Sequence, residues 1–141
     1  TGKYWNSIPD PYSDSQKRAV MKNWIILGAS LAALAVVLGA FGAHGLKSKV
    51  SPENMLIFET GIRYHMYHAL GLICLGILGF HYSANVIQLP AVLLSVGILI
   101  FSGSLYILVF TGLRWMGAIT PIGGVALITG WILLAYRLIK S

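Results

Sequence analysis

The chain alternates long apolar runs with short polar interruptions, and this pattern predicts four helices long enough to cross a bilayer. Residues 24–43, WIILGASLAALAVVLGAFGA, carry no charge, and about twenty such residues match roughly 30 Å of hydrocarbon. A polar loop, HGLKSKVSPEN, follows, in which Ser51-Pro52-Glu53 offers an N-cap and a first-turn proline for a second helix to about Tyr82. The third run, 86–110, has Pro90 near its start, where backbone donors are free. Thr120-Pro121 then reads as the N-cap and first residue of a fourth helix to about Leu138, roughly 27 Å at helical rise. Residues 1–20, with two prolines, two aspartates and three basic residues, read as a polar surface tail and not as a secretory signal or transit peptide. Tyr4 and Trp5 are its candidate anchors. The expected architecture is an all-α, integral-membrane bundle of four helices: a tail over 1–20 and a membrane domain over 21–141, with spans at about 24–43, 56–82, 86–110 and 120–138.

The second helix departs from the apolar pattern. Its first half contains ETGIRYHMYHALG, residues 59–71. On a helical wheel with Glu59 at zero and about 100° per residue, Arg63 falls at about 40°, Tyr67 at about 80°, Thr60 at about 100°, Tyr64 at about 140°, His68 at about 180° and His65 at about 240°. Only about a quarter of the circumference, bearing Met55, Phe58, Ile62 and Met66, is purely apolar. A surface this polar is unsuited to lipid, so the broad polar side is expected to face other helices or water. Glu59 and Arg63, four apart with the acid first, have the favoured ion-pair order. The loop beginning at His44 emerges at the same end and is a further expected contact.

Composition fits this reading. Hydrophobic residues make up 57% of the 141, and charged residues only 10%, which is membrane-protein and not soluble usage. The net charge of +6 comes from lysines and arginines scattered along the chain, so no nucleic-acid-binding stripe is formed. With four spans, Lys3, Lys17, Arg18, Lys22, Arg137 and Lys140 share one side, against Lys47, Lys49 and Arg114 on the other. The positive-inside rule then places both termini in the cytoplasm. Counted from Met21, the balance is three against three. The single cysteine, Cys74, excludes an intrachain disulfide and reads as a small hydrophobe.

Candidate chemistry is confined to the polar cluster Glu59, Arg63, Tyr64, His65, Tyr67 and His68. The readings are a buried network fixing helix packing, a proton or small-solute pathway, and a metal or haem site. For a metal the weak candidates are His65 and His68, with Glu59 or His44 as added ligands. His81 lies at the opposite membrane face. No nucleophile triad, phosphate loop, dinucleotide fingerprint or paired carboxylates occur, so no catalytic residue and no cofactor is assigned. Small residues at helical spacing, Ala35, Gly39 and Ala43, then Gly123-Gly124 with Gly130, suit close helix contacts. Ser102-Gly103-Ser104 adds hydroxyls that can bond across helices.

The motifs GAFGAHGL (39–46), FETGIRYHMYHALGL (58–72), FSGSLY (101–106), ITPIGG (119–124) and GW (130–131) resemble the domain-of-unknown-function 423 family. These are small four-helix proteins of bacterial inner membranes, with eukaryotic relatives called transmembrane protein 256. The family pattern covers Gly39, Phe41, Gly42, His44, Gly61, Tyr64, His68, Ser102, Gly103, Ser104, Tyr106, Thr120, Pro121, Gly123 and Gly124, and carries no role for any of them; Gly42 joins the packing positions. The resemblance implies four spans in a bacterial inner membrane, with the mitochondrial inner membrane as the alternative, and no activity. Residues 1–20 depart from it, since members begin near Met21. The functional expectation is a non-enzymatic accessory or assembly subunit of a larger, respiratory-type membrane complex, in contact with lipid and with a membrane-protein partner or a second copy. The alternatives are a small channel or transporter, then a metal or haem carrier.

Overall fold

A computed structural model describes residues 4–141 as helices and short connections, with no strand among them. Lys3, part of the charge count, lies outside the described residues. Helix α1 is a single turn, Tyr4–Ser7. The long helices are α2 (Asp14–Phe41), α3 (Pro52–Leu78), α4 (Ala84–Thr111) and α5 (Thr120–Lys140). A π-helical turn, Gly42–Leu46, extends α2, and a 3-10 turn, Arg114–Ala118, precedes α5.

Three of these units are long and apolar enough to cross a membrane: Asp14–Leu46, Ala84–Thr111 and Arg114–Lys140. The polar first half of α3 keeps that helix out of the set. The helices nonetheless run antiparallel in chain order, each packed on the next, with α3 between α2 and α4, and α5 on the far side of α4. Trp131 of α5 reaches back to α3, where its ring faces Gly71 and His68. The main core gathers Met21, Leu72, Leu75, Val86, Ile87 and Leu94 at the end of the molecule that holds the N-terminus. A smaller core around Phe58, Leu108 and Met116 closes the other end.

Local chemistry sets the helix ends. Ser13 accepts from the Gln16 backbone N–H while the Gln16 side chain accepts from the Ser13 N–H, a reciprocal capping box. Helix α2 therefore starts inside the stretch expected to be tail, ten residues before the apolar run, because absence of charge marks the lipid-facing part and not the helix. Ser51 caps α3 through Asn54 N–H, with Pro52 in the first turn. Gly112, at φ 72°, ends α4 in the left-handed conformation that glycine adopts without strain. Two expectations fail. Thr120 does not cap α5: Ile119 occupies that place without a side-chain bond, since the Thr120 hydroxyl is engaged with Ser104 Oγ at 2.7 Å. Pro90 lies beyond the first turn of α4, which begins at Ala84, so the Val86 carbonyl lacks its helical donor.

The N-terminal segment is held by its own chain. Asp10 Oδ2 accepts from Ala84 N–H at 3.0 Å, serving as a cap for α4. Ser83 Oγ donates to the Trp5 carbonyl and Asn85 Nδ2 to that of Pro9. The Arg137 guanidinium lies 4.5 Å from the centre of the Trp5 ring and donates to the Asn85 carbonyl. Trp24 Nε1 donates to Gln88 Oε1 at 2.9 Å, and Gln88 Nε2 to the Tyr12 hydroxyl at 3.3 Å.

Candidate functional site

The polar residues of α3 divide onto two faces. His65 and His68 are buried, together with Gly61, Ala69, Leu72 and Gly76. Glu59, Arg63, Tyr64 and Tyr67 are exposed. The broad polar side, expected to face other helices or water, is thus split between two buried histidines and four exposed side chains. The small and aliphatic residues at about 200° to 280° determine which arc can approach α2 and α4; His65 lies within that arc and His68 at its edge, while the other polar residues of the cluster lie away from it.

Glu59 and Arg63 form no ion pair; the two pairs among the described residues are Lys17–Asp10 and Arg114–Glu53, each at 3.8 Å. Instead both line an open groove of about 280 Å³ against Gly39 and Ala43 at the end of α2, with Phe58 as part of its wall. His44, in the π-helical turn, is exposed and does not line the groove.

His65 and His68 turn to different neighbours. His68 Nδ1 donates to the Tyr64 carbonyl at 2.7 Å, and its ring lies between Tyr64 and Trp131, with both centroids at 6.1 Å. His65 Nδ1 lies 3.0 Å from the Tyr106 hydroxyl of α4. Its Nε2 is buried and has no hydrogen-bond partner, a condition that costs roughly 1–3 kcal/mol when nothing compensates it. Beside it Ser102 Oγ donates to the Gly61 carbonyl at 2.7 Å, tying α4 to α3. This corner borders a crevice of about 160 Å³ between α2 and α4, walled by Leu31, Leu34 and Leu38 and by Ile98, Leu99 and Gly103. Tyr106, which composition alone does not single out, is thus the nearest polar partner of His65; its place in FSGSLY was the available signal.

No group of three or more His, Cys, Asp or Glu side chains among the described residues comes together as a metal site. His65 and His68 point into separate surroundings, so neither completes a ligand set with the other.

The packing positions differ in how tightly they are held. A Cβ on Gly123 would lie 2.7 Å from Phe101 Cα, and one on Gly42 would meet the Phe58 ring at the same distance. At Gly39 and Gly124 it would make ordinary contacts, and at Gly103 it would meet nothing within 4 Å. Close backbone approaches occur outside these positions as well: a Cβ on Gly28 would lie 2.7 Å from the Ala69 carbonyl oxygen, and one on Gly76 2.8 Å from that of Met21.

A family model described as "Protein of unknown function (DUF423)" matches residues 38–124, from just before GAFGAHGL to the last glycine of ITPIGG. The chain belongs to the DUF423 family. The resemblance seen in the motifs is borne out, and its curated relatives are membrane proteins by name. UPF0382 membrane protein YwdK of Bacillus subtilis is 49% identical over 121 residues, 85% of this chain and 98% of the relative. A UPF0382 membrane protein of Staphylococcus saprophyticus is 51% identical over 120 residues, 85% of this chain and 99% of the relative. No solved structure matches the chain. This DUF423 chain is an all-helical membrane protein, and the family brings no activity with it.

Proposed function

We propose that this DUF423 protein is a non-enzymatic accessory or assembly subunit of a larger membrane complex, a respiratory complex being the expected setting. It would cross a bacterial inner membrane four times with both termini in the cytoplasm. The observation that carries this reading is the outer face of α3, where Glu59, Arg63 and Tyr67 are exposed on a helix that packs along two membrane-crossing neighbours. Arg63 stands near the middle of the 27-residue helix. A charged side chain near mid-bilayer costs at least about 3 kcal/mol against lipid, and a protein surface offering hydrogen bonds and countercharge removes that penalty. The N-terminal segment, satisfied by its own chain, gives no further support for a partner.

The test is the size of the native assembly in mild detergent. Wild-type protein is expected in a complex larger than the 15.3 kDa chain, dissociating when Arg63→Ala and Tyr67→Ala are combined. A wild-type monomer retained across several mild detergents sinks the reading. A complex containing only this chain makes the partner a second copy. The geometry gives less support to a pathway through Glu59, Arg63, His65 and His68, since the charges and the histidines occupy different faces. A metal or haem carrier has the least, resting on two histidines that diverge.

A further inference from the structure

We propose that the outer arc of α3 is the interface of a two-fold symmetric dimer, in which Glu59 and Arg63 of one copy pair with Arg63 and Glu59 of the other. This rests on the reading that the face meets a protein within the membrane, and it names that partner as a second copy of this chain.

The first step is to find the part of α3 that its own chain leaves uncovered. With Glu59 at zero on the wheel, α2 packs on Phe58, Ile62 and Ile73, at about 260° to 320°. Helices α4 and α5 cover about 120° to 240°, through Phe101 on Tyr64, Tyr106 on His65 and Trp131 on Gly71. The arc between, from about 0° to 80°, carries Leu56, Glu59, Arg63, Tyr67, Leu70 and Ile77, all of them exposed. Leu56, Arg63, Leu70 and Ile77 recur every seven residues, the repeat with which one helix packs along another in a left-handed pair.

The second step is the charge on that arc. Glu59 and Arg63 are exposed, pair with no other charge among the described residues, and sum to zero. Closing onto each other within one chain would leave most of the five guanidinium N–H donors of Arg63 facing lipid. A different protein has to supply a base opposite Glu59 and an acid opposite Arg63, one helical turn apart. A second copy supplies both by symmetry, because a two-fold contact uses the same patch on each side. Copies inserted the same way round have their axis along the membrane normal, so equal residue numbers lie at equal depth. Glu59 of one copy and Arg63 of the other are then offset by about 6 Å at helical rise, the offset that such side chains bridge within a helix. The four charges alternate in sign around the axis, which gives each arginine two carboxylates as neighbours. A charged position in an otherwise apolar seam also fixes register and the number of copies. Leu56 on one side of the charges, and Leu70 and Ile77 on the other, supply the apolar contact.

The test uses full chains carrying two different affinity tags, co-expressed and captured through one tag in mild detergent. Wild type is expected to capture wild type. Glu59→Arg and Arg63→Glu each set like charges against like across the axis, and self-capture should fall by at least about tenfold. Glu59→Arg co-expressed with Arg63→Glu restores opposite charges, and capture between the two should return to near the wild-type level. Undiminished self-capture of either single variant, or no capture between the two when mixed, overturns the proposal. An assembly that holds a different protein and no second copy overturns the dimer and leaves the partner reading standing; a monomer removes both. Should a charge variant not fold, photo-reactive benzoylphenylalanine replaces Tyr67, at the edge of the arc, or Tyr136, which is exposed on α5. A cross-link between copies is expected from position 67 and not from 136. No link from 67, or equal links from both, overturns the proposal.

Discussion

Glycines of similar appearance in the sequence differ sharply once their neighbours are known. Alanine at Gly103 would enter open space, and alanine at Gly123 would collide with the Phe101 backbone, which has no rotamer to yield. Helix propensity favours alanine at both by up to about 1 kcal/mol, whereas overpacking against backbone costs typically about 1–3 kcal/mol. Gly103→Ala is therefore expected to be neutral or stabilising, and Gly123→Ala net destabilising by about 1–2 kcal/mol, measured by unfolding in mixed micelles. Equal effects at the two sites would contradict the packing described. The polar cluster carries a related lesson about what a wheel reveals. The wheel separates Glu59 and Arg63 from His65 and His68, but polarity alone does not say which arc turns inward. Gly61 at about 200°, Ala69 at about 280° and Gly76 at about 260° mark the side that permits close approach, and they accompany the histidines. The pairing of His65 with Tyr106 spans 41 residues and has no local signature.

At the scale of elements, the starts of α2 and α4 are secured in opposite ways. Helix α2 uses Ser13 and Gln16, three residues apart, a box that sequence displays openly. Helix α4 has Ser83 in the cap position, but that side chain makes no cap bond and donates to Trp5 instead. The backbone donor at Ala84 is met by Asp10, 74 residues earlier, and such a cap is invisible until the chain is folded. Removal of either cap has a common scale of about 1 kcal/mol. Ser13→Ala is expected to fray the first turn of α2 alone. Asp10→Ala also releases Tyr12 N–H and the Lys17 contact, so it should loosen the N-terminal segment and α4 together. Hydrogen exchange reads the difference: faster exchange at Ala84 in Asp10→Ala, and no change there in Ser13→Ala. The exposed Arg114–Glu53 pair makes a useful contrast, since Arg114→Ala should alter stability by no more than about 0.5 kcal/mol. Helix existence was legible because apolar runs and Ser51-Pro52 act locally. The start of α2 is marked by its local capping box but lies outside the apolar run that located the helix, whereas the cap of α4 is long-range and leaves no local mark.

For the whole molecule the decisive question is how α3 lies in the membrane, because its hydropathy sets it apart from the three helices that qualify as spans. Its 27 residues extend about 40 Å at helical rise, more than the hydrocarbon thickness. It runs antiparallel along α2: Gly42 faces Phe58 at one end, and Gly76 faces Met21 at the other. A helix in contact along that length with a crossing neighbour would be expected to traverse the same layer, and hydropathy would then underestimate α3 because its histidines are sheltered and its charges lie on one face. Four crossings and three crossings then differ in which ends share a side. With α3 crossing, residues 81 and 141 lie together, opposite residue 48. With α3 lying flat, residues 48, 81 and 141 all lie on one side, away from the N-terminus. Single cysteines placed by Ser48→Cys, His81→Cys and Ser141→Cys in a Cys74→Ala background, treated in sealed vesicles with a membrane-impermeant maleimide, distinguish the two. The expected outcome is that positions 81 and 141 react from one side and position 48 only from the other, while the unsubstituted protein, whose one cysteine is Cys74 on α3, reacts from neither. The side shared by 81 and 141 should be cytoplasmic, since Lys17, Arg18, Lys22, Arg137 and Lys140 gather there against Lys47, Lys49 and Arg114. Labelling of 48 and 141 from the same side would leave three crossings and remove the membrane setting on which the α3 interface depends.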